Sequence, residues 1–385
     1  MTSAARPLRR QMPIGTLVLG GLVVLAFVVA MIRYLGGLGA ASNLNDNYAW
    51  GVWISVDLLC GVALAAGAFT TATAVYIIGQ ERFRPILRPA ILTGFLGYLM
   101  VIFALLVDLG HPERIWYLII FWNPHSVMFE VGWCVMLYTA VLALEFSPMV
   151  FERFGLRQPL RLITRATLVL VIAGTVLSTL HQSSLGSLYL IIPDQLDVLW
   201  HTSLLPLFFF LSAVAAGPSM VILESSISSR VFKRGLEVDL LGSLAKAIPF
   251  VLALYLALKI ADLGIAGEFD NVFDGSRNSA LFLAEMVGGV ILPMVLFALP
   301  AIRRNGMTLL LAASLVVGGL IFNRINVGIL GFSRPAEAAS YVPSWMEFSV
   351  TFGIVSAGLI AFGLVARFLP LFTHAEKAGE EGTAQ

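Results

Sequence analysis

RPAILTGFLGYLMVIFALLVD, residues Arg88–Asp108, decides how this chain is read. Its nineteen inner residues carry no charge. At ~1.5 Å per residue they make a helix of about 30 Å, the thickness of a bilayer's hydrocarbon core. Working outward, the same apolar length recurs near 14–35, 51–79, 124–147, 163–186, 199–228, 242–262, 279–301, 308–328 and 345–371, with 88–108 among them. Hydrophobic residues make up 58% of the 385 and charged ones 12%, with a mean hydropathy of +0.90. A soluble chain carries about 25% charged residues. The expectation is an all-α, polytopic transmembrane bundle of about ten spans over residues 14–371, with an N-terminal arm at 1–13 and a polar tail at 372–385. Arg9-Arg10 ahead of the first span resembles a secretory signal, but the apolar run is longer than the about 7–15 residues such a signal uses.

Charge sets the expected orientation. Arginines and lysines number eighteen on the side of the termini: Arg6, Arg9, Arg10, Arg82, Arg84, Arg88, Arg153, Arg157, Arg161, Arg165, Arg230, Lys233, Arg234, Lys246, Arg303, Arg304, Arg367 and Lys377. The other side receives six: Arg33, Arg114, Lys259, Arg277, Arg324 and Arg334. Positive charge collects on the cytoplasmic side, so both termini are expected there. The outer connections around 43–50, 111–123, 193–198, 264–279 and 331–344 are rich in Asn, Asp, Pro and aromatics, which suits docking of an extracytoplasmic partner as well as ordinary solvated loops. No basic patch suited to nucleic acid appears.

Two cysteines, Cys60 and Cys134, both fall in apolar segments. No CxxC or four-cysteine set exists, so this chain alone cannot ligate an iron–sulfur cluster or attach a c-type haem. Gly94, Gly97, Gly132, Gly174, Gly186, Gly217, Gly288 and Gly289 are read as helix-packing positions.

Ionisable groups inside spans carry the functional signal, because a bare charge there costs at least ~2.5–3.5 kcal/mol. Glu130 is expected roughly 9 Å inside the outer end of the fourth span. His181 is expected one to two turns below the outer end of the fifth, Asp57 about two turns into the second, Asp108 at the end of the third, and His201 at the mouth of the sixth. Tyr98 falls near mid-membrane, and Glu224 and Glu145 near the inner face. Asp57 and Glu145 also admit a bland reading, as groups that pair or reach water near membrane ends.

An outer pocket with a carboxylate, an imidazole and aromatic walls suits a quinone headgroup. Reduction of a quinone takes two electrons and two protons, and a histidine can hydrogen-bond one carbonyl and deliver a proton. Two other readings compete. A b-type haem needs two axial histidines, and of His111, His125, His181, His201 and His374 only His181 and His201 share a depth. An ion-coupled secondary transporter would place its acids at interrupted spans near midplane, whereas these acids cluster near the faces.

Several stretches then resemble the NrfD-like membrane subunits of respiratory oxidoreductases. DLGHPERIWYLIIFWNPHSVMFEVGW (Asp108–Trp133) is similar to that family's third-to-fourth-span signature. LHQSSLGSL (Leu180–Leu188), NDNYAWGVWISVDLLCG (Asn45–Gly61), ALEFSPMVFERFG (Ala143–Gly155) and YVPSWMEF (Tyr341–Phe348) resemble the HybB-type branch, the membrane subunits of hydrogenase-2 and of similar sulfur-metabolism and multihaem-cytochrome complexes. The resemblance implies ten spans without haem b, and menaquinone or ubiquinone bound near the extracytoplasmic surface of a bacterial inner membrane. It implies electrons exchanged with a periplasmic ferredoxin-like iron–sulfur partner and a catalytic or multihaem cytochrome subunit. It matches Glu130 and His181 to the family's quinone residues, and Tyr98 and Glu224 to its proton path. Asp57 and Asp108 are expected to complete the quinone pocket, and no metal site is expected. One departure stands out: the arginine usual in DLGRP is His111 here.

Overall fold

The computed structural model describes residues 14–45, 48, 50–192, 195–332 and 341–372. The arm with Arg6, Arg9 and Arg10, and also Arg334, His374, Lys377 and most of the expected tail, lie outside the described residues. Among the described residues, ten helices are long and apolar enough to cross a membrane: α1 Ile14–Gly36, α2 Trp53–Ile77, α3 Glu81–Asp108, α4 Val127–Arg153, α5 Arg157–Ile191, α6 Leu205–Val231, α7 Val238–Ala266, α8 Arg277–Ala298, α9 Gly306–Leu330 and α10 Trp345–Phe368. The protein is a polytopic helical bundle with no strand among its described residues. The face where α1 begins is called near, the opposite face far.

Side-chain caps set several helix ends. The Ser126 hydroxyl accepts from Phe129 N to open α4, and Ser276 accepts from Ser279 N to open α8. Asn305 accepts from Met307 N and Thr308 N at α9. Ser344 and Glu347 form a capping box at α10. Such caps satisfy amide protons that the first helical turn leaves without partners. Gly155, at φ 68°, makes the tight reversal between α4 and α5 in a conformation that a side chain disfavours.

α6 runs through the middle, against α5, α7, α9 and α2. α4 pairs with α5, and α1 pairs with α10 at the periphery. Small residues allow the close approaches. A Cβ at Gly94 would fall 2.6 Å from that of Ala68, and one at Gly217 would fall 2.9 Å from the Ala66 carbonyl oxygen. Gly288 departs from the packing expectation, since nothing lies within 4 Å of the place its Cβ would take. Gly174 departs too, with neighbours only at ordinary contact distances of 3.4–3.7 Å.

Three helices widen into π segments: α2 at Trp53–Leu58 and Thr73–Ile77, α8 at Met286–Ile291 and α9 at Asn326–Leu330. π segments recur at functional sites because the extra residue per turn re-aims side chains. Asp57 sits in the first of them.

The helix ends correct several expected depths. α5 continues to Ile191, so His181 lies about 15 Å from its far end, level with Tyr98 on α3. Glu130 is in the first turn of α4, and Asp57 about one turn into α2. α6 begins at Leu205, which leaves His201 in the preceding connection. Arg33, Lys259 and Arg324, counted above as charges of the outer connections, are buried within α1, α7 and α9.

Candidate functional site

A buried polar contact joins α3 to α5. The Tyr98 hydroxyl lies 2.8 Å from Nδ1 of His181, and both residues are fully buried. The edge of one ring meets the face of the other between Tyr98 and Tyr138 of α4, at 4.7 Å between centroids. Gln182 donates from Nε2 to the Val62 carbonyl of α2 at 2.9 Å, which fixes this turn of α5. Nε2 of His181 is enclosed and has no hydrogen-bond partner among the described residues. In either neutral tautomer a ring nitrogen is a donor or an acceptor. A buried polar atom left unpaired costs about 1–3 kcal/mol, so this nitrogen points to a partner supplied in function.

A second cluster gathers at the far ends of α1, α2, α3 and α10. Thr351 donates to Asp57 Oδ2 at 2.8 Å. Asp57 lies within the field of Asp108, which itself lies within the fields of Arg33 and Glu347. Arg33 donates from Nε to the Val107 carbonyl at 2.6 Å and from a second nitrogen to the Leu109 carbonyl, covering the free carbonyls where α3 ends. Glu347 accepts from Ser344 N at 2.7 Å, from Asn43 N at 3.2 Å and from the Tyr341 hydroxyl. That hydroxyl in turn accepts from Val52 N. Tyr341 lies beyond the helix, and burial, with Glu347 beside it, pushes its phenol above the usual range. The stretches 45–61 and 341–348 therefore pack against each other, and α10 sets the position of the Asp57 turn.

The remaining two candidates stand apart. Glu130 is exposed on α4, where the Trp122, Phe129 and Trp133 rings lie within 6 Å of one another, and no hydrogen bond links it to His181. Glu224 is buried toward the near face of α6, at a small cavity of about 30 Å³ shared with Pro85, Pro89, Ser228, Arg234 and Phe372. One or two waters fit such a space. The structure thus joins Tyr98 to His181, sets Asp57 against Thr351 within the field of Asp108, and links neither Glu130 nor Glu224 to them by a hydrogen bond.

Sequence reasoning missed a third cluster. Glu285 of α8 accepts from Trp200 Nε1 at 2.9 Å and from Asn323 and Asn326 at 2.8 Å each. Arg324 donates to Asn323, Ser212 and the Phe209 carbonyl, and Lys259 pairs with Asp262 at 3.8 Å. Opposite charges at equal depth in neighbouring spans were the signal available for it. No group of three metal-ligating side chains occurs among the described residues.

Asp57, Asp108, Glu130 and the His181 turn fall within residues 40–336, matched by a family model described as polysulphide reductase, NrfD. The chain belongs to the NrfD family. The probable Ni/Fe-hydrogenase 2 b-type cytochrome subunit of Escherichia coli K12 is 31% identical to this NrfD chain, over 92% of the chain and 91% of its own length. The menaquinone reductase integral membrane subunit of Nitratidesulfovibrio vulgaris Hildenborough is 29% identical, over 87% and 86%. A further protein of that organism is 41% identical over 94% and 95%. The two named relatives are subunits of larger oxidoreductases.

The name of the E. coli relative raises haem b. Among the described histidines, His111 and His125 are exposed on the α3–α4 connection, His201 precedes α6, and only His181 lies inside the bundle, with Nδ1 engaged by Tyr98. The described residues do not supply the facing pair of axial histidines that a membrane b-haem uses.

Proposed function

We propose that this chain is the quinone-reactive membrane subunit of a multi-subunit respiratory oxidoreductase in a bacterial inner membrane. The observation that carries the reading is the buried His181 imidazole, held at Nδ1 by Tyr98 and left unpartnered at Nε2. A quinone carbonyl that reaches Nε2 gains a hydrogen bond there, and the ring then passes a proton to the reduced oxygen. Each turnover in the reducing direction takes two electrons from the partner and two protons, and gives one quinol. Asp57 and Asp108 shape the far-face side of the headgroup site, and Glu130 marks its approach from the lipid. Tyr98 reloads His181, and Glu224 serves as a proton carrier toward the near face.

Orientation follows from charge. With Arg33, Lys259 and Arg324 buried, the described far-face connections and helix starts keep only Arg114 and Arg277. Both termini are then cytoplasmic and the far face is periplasmic. Electrons reach the quinone from a ferredoxin-like iron–sulfur partner on that face, itself joined to a hydrogenase-type, sulfur-compound-type or multihaem catalytic subunit. The exposed Trp116, Ile120, Phe121 and Trp122 offer an apolar surface there. The quinone is menaquinone or ubiquinone, and the menaquinone reductase relative favours the former.

The test is quinone turnover and binding of a hydroxyquinoline N-oxide quinol analogue in the purified complex, for wild type and His181→Ala. Loss of both with normal assembly supports the reading. Full turnover in the variant overturns it.

A further inference from the structure

We infer that a proton line runs along the seam between α4 and α5, from the near face through Glu145 and Tyr138 to Tyr98, across a gap kept open by Gly174. It rests on the quinone reading above and adds its supply route.

Spacing on the two helices lays out the seam. Tyr138, Glu145 and Glu152 recur every seven residues along α4, so they share one face, about 10 Å apart. On α5 the matching positions are His181, Ser178 and Gly174, spaced three and four apart. α4 and α5 pack against each other as neighbours. Tyr98 hydrogen-bonds His181 and meets the Tyr138 ring, so the upper end of this stripe is the candidate site itself. Tyr138 is fully buried with Ser178 beside it.

Below that point the seam holds a methyl-sized space at Gly174. A Cβ at Gly174 would lie 3.5 Å from the Tyr138 ring, 3.7 Å from Glu145 Oε1 and 3.4 Å from Val141. The absent side chain leaves the tyrosine edge and the carboxyl oxygen facing one gap. Thr73 and Thr175 share a hydrogen bond at 2.7 Å at the same level. Glu145 has no hydrogen-bond or ion-pair partner among the described residues, unlike Glu152, which pairs with Arg88 at 2.7 Å near the surface. A carboxyl group without a cation, about 12 Å from the near end of α4, is the kind of intramembrane acid that marks a proton route. Each hydroxyl along the line releases one proton as it takes another, so only His181 ends with a net gain, which the quinone then removes.

The experiment measures turnover, the solvent isotope effect and quinol-analogue binding in the intact complex, for Glu145→Gln, Glu145→Asp, Gly174→Ala and His181→Ala. Glu145→Gln is expected to lower kcat about tenfold or more, with KM and analogue binding unchanged and a larger isotope effect. Glu145→Asp recovers part of the rate. Gly174→Ala places a methyl in the gap at ordinary contact distance, so it folds, and it is expected to slow the same step; it carries the test if Glu145→Gln fails to assemble. Wild-type kcat and isotope effect in both variants, with His181→Ala inactive, overturn the line and leave the quinone reading intact. Full activity in His181→Ala overturns both.

Discussion

Tyr98 and His181 stand 83 positions apart in the chain, yet the tyrosine hydroxyl and the imidazole Nδ1 are 2.8 Å apart in the interior. Water has no access to either, so the bond fixes ring orientation and leaves Nε2 as the free end. Tyr98→Phe keeps the aromatic volume and removes only the hydroxyl. Thermal unfolding in detergent should show a loss of about 1–3 kcal/mol from the orphaned nitrogen. Quinone turnover should fall about 10²–10⁴-fold, the range of a lost proton-transfer group, while analogue binding persists. Unchanged turnover would show that Tyr98 holds packing alone.

Close helix approach gives a second, steric prediction. Gly217→Val pushes a side chain into Thr70 Oγ1, 2.7 Å away, and into the Ala66 carbonyl, which cannot swing aside. The purified variant should aggregate or lose about 1–3 kcal/mol through overpacking. Gly288→Val, where the position opens away from the bundle, should behave as wild type in size-exclusion and melting experiments.

The ten spans were legible because an uncharged run such as 89–107 has no other stable home. Depth was less legible, since helix ends depend on caps and tertiary contacts. Ser126 opens α4 at Val127 and so places Glu130 in the first turn, and α5 runs on to Ile191, five residues past the expected 186. Pairing between distant helices was legible only in part. Tyr98 and His181 stood out singly as polar groups in apolar runs, but their contact needs the α3–α5 geometry. Lys259 and Arg324 looked like loop charges because each lies within about two turns of a span end. Burial became apparent only with Glu285, Asn323 and the Phe208 and Phe209 rings beside them.

That buried network yields a third prediction. Glu285→Ala removes the carboxylate facing Lys259 and Arg324 and orphans Trp200, Asn323 and Asn326. Breaking such an arrangement costs about 3–5 kcal/mol, because the remaining charges stay buried. Adding Lys259→Met should recover part of the loss. Strict additivity of the two changes in chemical denaturation would show that the lysine and the glutamate act independently.

Tyr341 gives a prediction in pH. Its phenol is raised by burial and by Glu347, so the native state holds the proton at values where the unfolded chain, with a tyrosine near pKa 10, releases it. The unfolded state then binds fewer protons, and stability falls as pH rises above about 10, by at most ~1.4 kcal/mol per pH unit for one group. Below that pH both states hold the proton and the term is constant. Tyr341→Phe should therefore flatten the alkaline limb of a stability profile by up to one proton's slope. It should also loosen the far face at every pH, because Val52 N and Glu347 each lose a partner there. Faster amide exchange confined to residues 50–57 and 341–351 would match that account. An unchanged alkaline slope would mean that the phenol titrates alike in both states.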